Sequence, residues 1–346
     1  STIITNRMAI PAYWFDLAHF LSRHDPQARI LVLPNDDFYA MPYRWGFYGA
    51  DLVATELLPN PIVTLTNIPL GYTSTPSTYD GLTDELLTDL SKVQPISVIP
   101  LLAAQGIKYI LQRNDIVTSS PTRRILSARQ VTSFLRAQQG IHIVRSFGQL
   151  DLYLVNGKHY VPPVYAVPLS GAAKARYGMQ QAASQAIMTA LGFSSTGVFQ
   201  PTNRAPHVIP MLSTQENPAR WSVRIEPTAG PVVLVLSALY HPFWHACLVP
   251  AGTPVLPWTC WFNGFMPANT HVRPMGFANG WIIDRPGRYT VILDYGFQHV
   301  ADLLQFLAAL TIGGAILWSV RPYIRRGRQR LRHGATEARS SRGRGA

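Results

Sequence analysis

A stretch without formal charge near the C-terminus constrains this chain more than any other feature. From Leu303 to Val320 the sequence reads LLQFLAALTIGGAILWSV. With Val300 and Ala301 the segment reaches about 20 residues, which is the length that a helix needs to cross the hydrocarbon of a bilayer. Trp318 lies near its end, where an indole ring favours the headgroup level. A buried helix of a globular domain would be equally apolar, but the basic tail that follows favours a membrane span over 300–320.

Most of the positive charge of the chain lies directly behind this segment. The tail 321–346 holds nine arginines and one acid, Glu337, so eight of the twelve net positive charges lie there and about four lie on the rest of the chain. Arginine clusters that follow a span remain cytoplasmic. We therefore expect a cytoplasmic tail and an extracytoplasmic body. Because that body is close to neutral, a nucleic-acid partner is not expected.

An extracytoplasmic body needs a device that carries it across the membrane. The first residues, STIITNRMAIPAYW, contain no signal peptide, and the chain begins with Ser1 rather than Met. We therefore expect further spans upstream in a longer protein. The two cysteines, Cys247 and Cys260, suit an oxidising compartment and would form either a disulfide or two buried thiols.

Residues 1–165 alternate between short apolar runs and segments of helical spacing. This alternation predicts an α/β domain with a mixed sheet, whose loops 34–48 and 112–121 lie on one rim. A helix that ends at Gly106 is expected from its apolar spacing. The predicted strands are 28–33, 62–65, 108–111, 141–146 and 151–155, and the predicted helices are 82–90, 96–104 and 128–138.

The remainder of the body changes character. An Ala-rich helix at Ser170–Leu191 is predicted inside a connector, 166–206. Short β-branched and aromatic runs with intervening turns then indicate a β-sandwich or jelly-roll-like domain at 207–299. The expected strands are 221–225, 232–236, 260–262, 281–283 and 289–293. The fold class is α+β, completed by one transmembrane helix and the basic tail.

The sequence carries no recognisable catalytic motif. GxSxG, Walker A, HExxH and GxGxxG patterns are absent, and no cofactor is expected. His241 and His245 have the spacing of a helical metal pair, but Pro242 argues against a helix, so no metal site is predicted. Tryptophans are the richer signal, since exposed rings stack on sugars whereas buried rings fill a sandwich core. Four lie close together in the β region: Trp244, Trp258, Trp261 and Trp281.

Four regions, taken in order, carry a likeness to a known family. They are IPAYW (10–14) with RILVLPNDDFYAMPYRWG (29–46), then LLAAQGIKYILQRND (101–115), SALYHPFWHACL (237–248) and MGFANGWIIDRPGRYTVILDYGFQHV (275–300). Together they resemble the extracytoplasmic part of large bacterial GT-C membrane glycosyltransferases, above all the cell-wall arabinofuranosyltransferase group. Phe297 departs from the pattern, which often has proline there, and the two cysteines are not part of it.

The resemblance implies a function that depends on a longer protein. In such enzymes the catalytic acid lies among N-terminal spans, and the donor is a polyprenyl-phosphate sugar. The implied partners are cell-envelope glycan, the polyprenyl-linked sugar, the membrane and the upstream transmembrane part of the same protein. The chain alone would then be inactive and contain no catalytic residue. A non-catalytic, membrane-anchored glycan-binding or assembly module is the alternative, and a self-contained extracytoplasmic enzyme is a third reading.

Polar residues at strand ends and tryptophans supply the candidate substrate-binding set. Asp36-Asp37 and Asn114-Asp115 follow predicted strands, where they could bind a metal or a sugar hydroxyl or form ordinary solvated loops. Asn279-Gly280-Trp281 lies between two strand-like runs, where glycine allows a tight turn that would present an amide beside an indole. The predicted substrate-binding residues are Asp36, Asp37, Trp45, Asn114, Asp115, Trp244, Asn279 and Trp281.

Overall fold

The structure is a computed structural model of the whole chain. It describes residues 8–34, 40–63, 97–119, 125–170, 178–194, 202, 204–226, 230–256, 259–260, 264–276, 278–298, 303–316 and 318–319. The predicted helix 82–90, Asp36, Asp37, Trp258, Trp261 and the basic tail lie outside these residues.

The first half of the chain forms a five-stranded sheet of mixed direction. Its order is β4-β1-β5-β7-β6. Strands β4, β1 and β5 run parallel, whereas β7 is antiparallel to both β5 and β6. The strands are β1 (Arg29–Leu33), β4 (Ile62–Val63), β5 (Ile107–Arg113), β6 (Ile141–Phe147) and β7 (Leu150–Val155). The predicted mixed sheet is thereby confirmed.

Helices cover this sheet, and the first two of them along the chain were not predicted. Helix α1 (Ala12–His24) buries Trp14, Leu17 and Leu21 at helical spacing, but Pro11 precedes it without a side-chain cap, so tertiary packing holds it in place. The other helices of this half are α2 (Val53–Leu57), α3 (Ile99–Gln105) and α4 (Ala128–Ala137).

Two of the predicted helix ends in the described region have clear causes. Gly106 adopts φ +65°, and its N–H bonds back to Leu102 and Ala103, so α3 stops where the sequence indicated. Helix α4 begins with a capping box, in which Ser127 and Gln130 satisfy each other's backbone N–H groups.

The second half contains two further sheets, in agreement with the predicted β region. A four-stranded sheet has the order β10-β11-β16-β13, and a five-stranded sheet has the order β14-β15-β12-β8-β9. The strands are β8 (Val164–Pro168), β9 (Ile209–Pro210), β10 (Leu212–Asn217), β11 (Arg220–Ile225), β12 (Val232–Leu236), β13 (Trp244–Pro250), β14 (His271–Val272), β15 (Asn279–Ile283) and β16 (Tyr289–Tyr295).

The predicted strand at 260–262 is wrong at its start. Thr259 and Cys260 are helical, because Thr259 and Leu256 exchange two hydrogen bonds that close a turn there. Cys260 is joined by a disulfide to Cys247 of β13, so of the two alternatives for the cysteines the structure has the disulfide and not the buried thiols. Residues 261–262 lie outside the described part.

One hydrophobic core joins the first sheet to the five-stranded sheet of the second half. It includes Leu31 of β1, Leu102 of α3, Tyr165 of β8 and Val233 of β12. Ile187 of helix α5 (Met179–Leu191) belongs to the same core. The predicted domain boundary at 165/166 falls within β8, and the division into domains stays a prediction.

The residues from Asp294 onward form a separate compact unit. It contains a helix over Gly296–Ile316 that is long and apolar enough to cross a membrane. Its apolar side chains are exposed, with Leu304 at 60% and Ile312 at 61%. The described residues hold one such helix, and its orientation stays a prediction.

Candidate functional site

The two loops predicted to share a rim do lie together. The hairpin β2–β3 (Ala40–Pro42 and Tyr48–Ala50) packs beside the segment that follows β5. The Arg44 N–H donates to the Asp115 carbonyl at 2.7 Å, and Tyr43 forms an antiparallel bridge with Ile116. The predicted rim is thereby confirmed for its described residues.

The Asp115 carboxylate is the centre of this rim and is 1% exposed. Its Oδ2 accepts three hydrogen bonds, from the Tyr13 hydroxyl at 2.9 Å, Trp14 Nε1 at 3.2 Å and Trp45 Nε1 at 3.0 Å. Its Oδ1 is buried and has no partner among the described residues. One carboxylate oxygen therefore ties helix α1 to the tip of the hairpin.

Aromatic rings surround this carboxylate. Tyr43 lies 4.9 Å from the Trp45 ring and 6.4 Å from the Trp14 ring, and Trp45 stacks on Phe47 at 5.6 Å. Burial raises the pKa of Tyr13, and the Asp115 carboxylate raises it further. The phenol of Tyr13 therefore stays protonated and remains a donor at neutral pH.

A buried arginine completes the network behind the rings. The Arg113 guanidinium donates to Asp51 Oδ1 at 2.5 Å, to the Tyr43 hydroxyl at 2.8 Å and to the Pro34 carbonyl at 2.6 Å. Burial alone would lower the pKa of Arg113, but the Tyr43 oxygen and the Asp51 carboxylate raise it above its ordinary value. The cation is thus paired and holds the base of the hairpin.

Asn114 is also engaged inside the protein. Its Nδ2 donates to Asp151 at 2.8 Å, and its Oδ1 accepts from Gln112 at 2.8 Å. Among the predicted rim residues in the described part, Asn114 and Asp115 make internal contacts. Trp45 alone of these keeps a half-exposed ring. Sugar binding by any of them stays a prediction.

The predicted tight turn at Asn279–Trp281 is wrong, because these residues belong to strand β15, which pairs with β12 and is buried. The Asn279 side chain is 0% exposed. It donates to the carbonyls of Ala238 and Leu239 at 3.0 and 3.1 Å, and it accepts from the His241 N–H at 3.2 Å. This amide therefore holds the loop 238–241 and has no free edge with which to read a hydroxyl.

The two tryptophans of the same set are buried as well. Trp281 is 1% exposed and stacks on His271 at 4.9 Å with the planes 5° apart, and Trp244 is 8% exposed. Burial lowers the pKa of His271, while its hydrogen bond to Asn279 acts in the opposite direction. A buried indole offers no face to a sugar, so the platform that the sequence predicted is closed in this geometry.

Among the described residues of this region, three accessible rings lie further out. Tyr240 is half-buried 5.1 Å from His271, beneath the Arg273 guanidinium at 5.2 Å. Phe243 is 45% exposed, and Phe265 is 43% exposed beside His245. We call Tyr240, Phe243 and Phe265 the outer rings. The sequence did not predict them, because the pattern of apolar residues does not show whether an aromatic residue lies in an exposed loop or in a buried strand.

Two clefts lie elsewhere on the body. One of about 780 Å³ occupies the corner where the chain passes from β9 to β10, and apolar side chains such as Leu212 and Met211 line most of it. A smaller cleft of about 240 Å³ is lined by His159, Arg204 and Gln138. No group of three or more histidine, cysteine or acidic side chains in the described ranges could hold a metal ion.

Comparison with known proteins decides the family. Residues 5–194 match the model of the family alpha-(1->3)-arabinofuranosyltransferase, N-terminal GT-C domain. The chain belongs to this family. The predicted resemblance to arabinofuranosyltransferases is thereby confirmed, and the match includes the mixed sheet, the Asp115 network and α5.

Solved structures of mycobacterial proteins resemble the chain more distantly. A cryo-EM structure of the arabinofuranosyltransferase AftD from Mycobacteria is 16% identical, with a TM-score of 0.39. A mutant form of it is 17% identical, with a TM-score of 0.40. Each alignment covers 83% of this chain, but only 30% and 31% of the AftD chains, so this member of the arabinofuranosyltransferase family spans about a third of their length. No curated protein matches the chain.

Proposed function

We propose that this chain is the extracytoplasmic part of a membrane-embedded GT-C arabinofuranosyltransferase that takes its sugar from a polyprenyl-phosphate donor in cell-envelope polysaccharide synthesis. Family membership over residues 5–194 carries the proposal. The apolar helix Gly296–Ile316 and the arginines of the tail support an extracytoplasmic body. The Cys247–Cys260 disulfide agrees with an oxidising compartment.

Within that enzyme the chain acts on the acceptor side. In the part of the rim that the structure describes, the carboxylates of Asp51, Asp115 and Asp151 are bonded to neighbouring side chains. Asp36 and Asp37 lie outside the described residues. A general acid or base needs a carboxylate within reach of the reacting group. In this proposal the upstream transmembrane part supplies the catalytic acid, as the resemblance implies, and this chain holds the growing glycan.

The outer rings are the glycan contact that the geometry favours. They are accessible, whereas Asn279 and Trp281 form the buried layer that supports them. Rings of this kind cover the apolar face of a sugar, and the half-exposed His245 beside Phe265 offers its imidazole to the hydroxyls.

Acceptor kinetics of the natural full-length protein in membranes test this role. Phe243→Ala should raise KM for an arabinan acceptor without changing KM for the polyprenyl-phosphate donor. The affinity loss should be about 1–3 kcal/mol, by analogy with bases stacked on aromatic side chains. Phe15→Ala is the matched control, because Phe15 is an exposed ring on α1 (51%) away from this loop. An unchanged acceptor KM, or equal effects on donor and acceptor, would contradict the assignment.

Orientation is tested separately by single cysteines in an otherwise thiol-free chain, since both native cysteines are paired. A membrane-impermeant maleimide should label Lys158→Cys, which lies in an exposed turn after β7, in intact cells. Ser340→Cys in the tail should react only after lysis. The opposite pattern would refute an extracytoplasmic body.

A non-catalytic glycan-binding module is the second candidate, and the observation that favours it is the engagement of the Asp51, Asp115 and Asp151 carboxylates in the described part of the rim. The two functions differ in one measurement. Membranes that contain the full-length protein should transfer arabinofuranose if the first is correct, whereas the module would bind arabinan without any turnover.

A further inference from the structure

The tip of the β2–β3 hairpin exposes several large apolar side chains in one place. Tyr48 is 62% exposed, Leu52 49% and Met8 40%, and Trp45 and Phe47 are half-buried beside them. We call these five residues the hairpin patch. The patch is continuous at its tip, because the Met8 sulfur lies 3.5 Å from the position of a Cβ on Gly46.

The rings of the patch are fixed rather than loosely attached. Strands β2 and β3 pair from Ala40–Ala50 to Pro42–Tyr48, and Gly46 supplies the positive φ of +96° that the tip requires. Trp45 is stacked on Phe47 and hydrogen-bonded to the buried Asp115. A surface whose side chains are already ordered loses little entropy when it meets a partner.

The chemistry of the patch fits a lipid surface better than a sugar. Sugar sites combine rings with free hydrogen-bonding groups, but Asp51 and Asp115, two acids beside the hairpin in the described part of the chain, are bonded to Arg113 and to the rim aromatics. Trp and Tyr, with an apolar body and a polar edge, concentrate at the headgroup level of bilayers.

The charge beside the patch points the same way. Arg44 is exposed next to Trp45, and it forms no ion pair with any residue of the described part. A guanidinium in that position matches the phosphates of lipid headgroups. The chain also carries an apolar helix of membrane length, so a bilayer is a surface that the body can reach.

We propose that the hairpin patch lies in the headgroup layer of a bilayer, with Arg44 against lipid phosphate. The body would then contact the membrane at a site in its sequence far from the C-terminal helix. The proposal is independent of arabinofuranosyl transfer and requires only that the chain is attached to a membrane.

Collision accessibility of a spin label tests this contact in the full-length protein in nanodiscs. The label is placed at Tyr48→Cys, and at Leu52→Cys as a second position should the first variant fold poorly. Molecular oxygen concentrates in lipid, whereas a water-soluble nickel complex does not. We expect the ratio of relaxation by oxygen to relaxation by nickel to be clearly higher at both labels than at the control Lys158→Cys.

Each other outcome overturns the proposal. A label at Tyr48→Cys that relaxes with nickel, as the control does, would place the hairpin in water. Protection from both reagents would mean that protein or glycan covers the patch. A further label at Gly314→Cys inside the apolar helix reports membrane insertion on its own, so failure of anchoring is distinguished from failure of the hairpin contact.

Discussion

Substitution of Asp115 separates the role of its shape from the role of its charge. All three hydrogen bonds reach Oδ2, and Oδ1 has no partner in the described residues. Asn can keep an oxygen at the Oδ2 position and place its NH₂ where Oδ1 makes no contact. Ala removes the acceptor entirely, so Asp115→Ala and Asp115→Asn should differ.

The magnitude follows from the burial of the three donors. Trp14 is 0% exposed, so its N–H would be left buried without an acceptor at a cost of about 1–3 kcal/mol. Tyr13 and Trp45 are half-buried and recover part of their loss from water. We expect Asp115→Ala to destabilise by about 3 kcal/mol in total, and Asp115→Asn by about 1–1.5 kcal/mol, because a neutral acceptor bonds more weakly than a carboxylate.

Thermal unfolding of the detergent-solubilised protein measures both effects. At about 2–4 °C per kcal/mol, Asp115→Ala should lower Tm by roughly 6–12 °C and Asp115→Asn by roughly 2–6 °C. Asp16→Ala, an exposed carboxylate on α1, is the control and should change stability by less than about 0.5 kcal/mol. Equal losses for Ala and Asn, or no loss for Ala, would refute the assignment of Asp115 as the anchor of the rim.

Three further predictions concern the β region and the helix. Trp281→Ala should lower the free energy of unfolding by about 3–5 kcal/mol, because the ring is 1% exposed. An unchanged Tm would show that Trp281 is not a core residue. Cys247→Ser should lower the free energy of unfolding by about 3 kcal/mol, because the disulfide no longer closes the short loop to Cys260. Denaturant unfolding with and without reductant measures this loss. If reductant still destabilised the variant, the disulfide would not be the cause. Gly314→Arg should weaken insertion by about 2.5–3.5 kcal/mol and shift the protein toward the soluble fraction; full membrane retention would mean that this helix is not the anchor.

The sequence predicted the helices and strands that have a clear local signal, such as an apolar run or a terminal glycine. Strand β1 and helix α3 follow from an apolar run and from a glycine stop, and the rim follows from parallel strands that end at the same edge. Helix α1 was missed because its signal is weak locally. Pro11 offers no cap, and the contacts that stabilise the helix come from Asp115, about a hundred positions away in the chain.

The candidate site was harder to predict than the fold, for a related reason. The exposure of an aromatic ring depends on how many layers of structure cover its strand, and the number of layers cannot be read from the sequence. β15 lies between β14 and β12 in a sheet whose β12 residues are all buried, so Trp281 and Asn279 are interior. Tyr240 and Phe243, only a few positions from predicted residues, lie on the accessible loop instead.

Strand β8 has a practical consequence for anyone who divides this protein. Val164–Pro168 comes from the end of the first half, yet it pairs along its whole length with β12, and it also pairs with β9. A recombinant piece that starts after residue 168 would lack an inner strand of its own sheet and would expose the edge of β12 to other chains. Gene fusions or fragment libraries should therefore be cut before Val164, and homologous pieces exchanged between family members should carry β8 together with the strands that follow it.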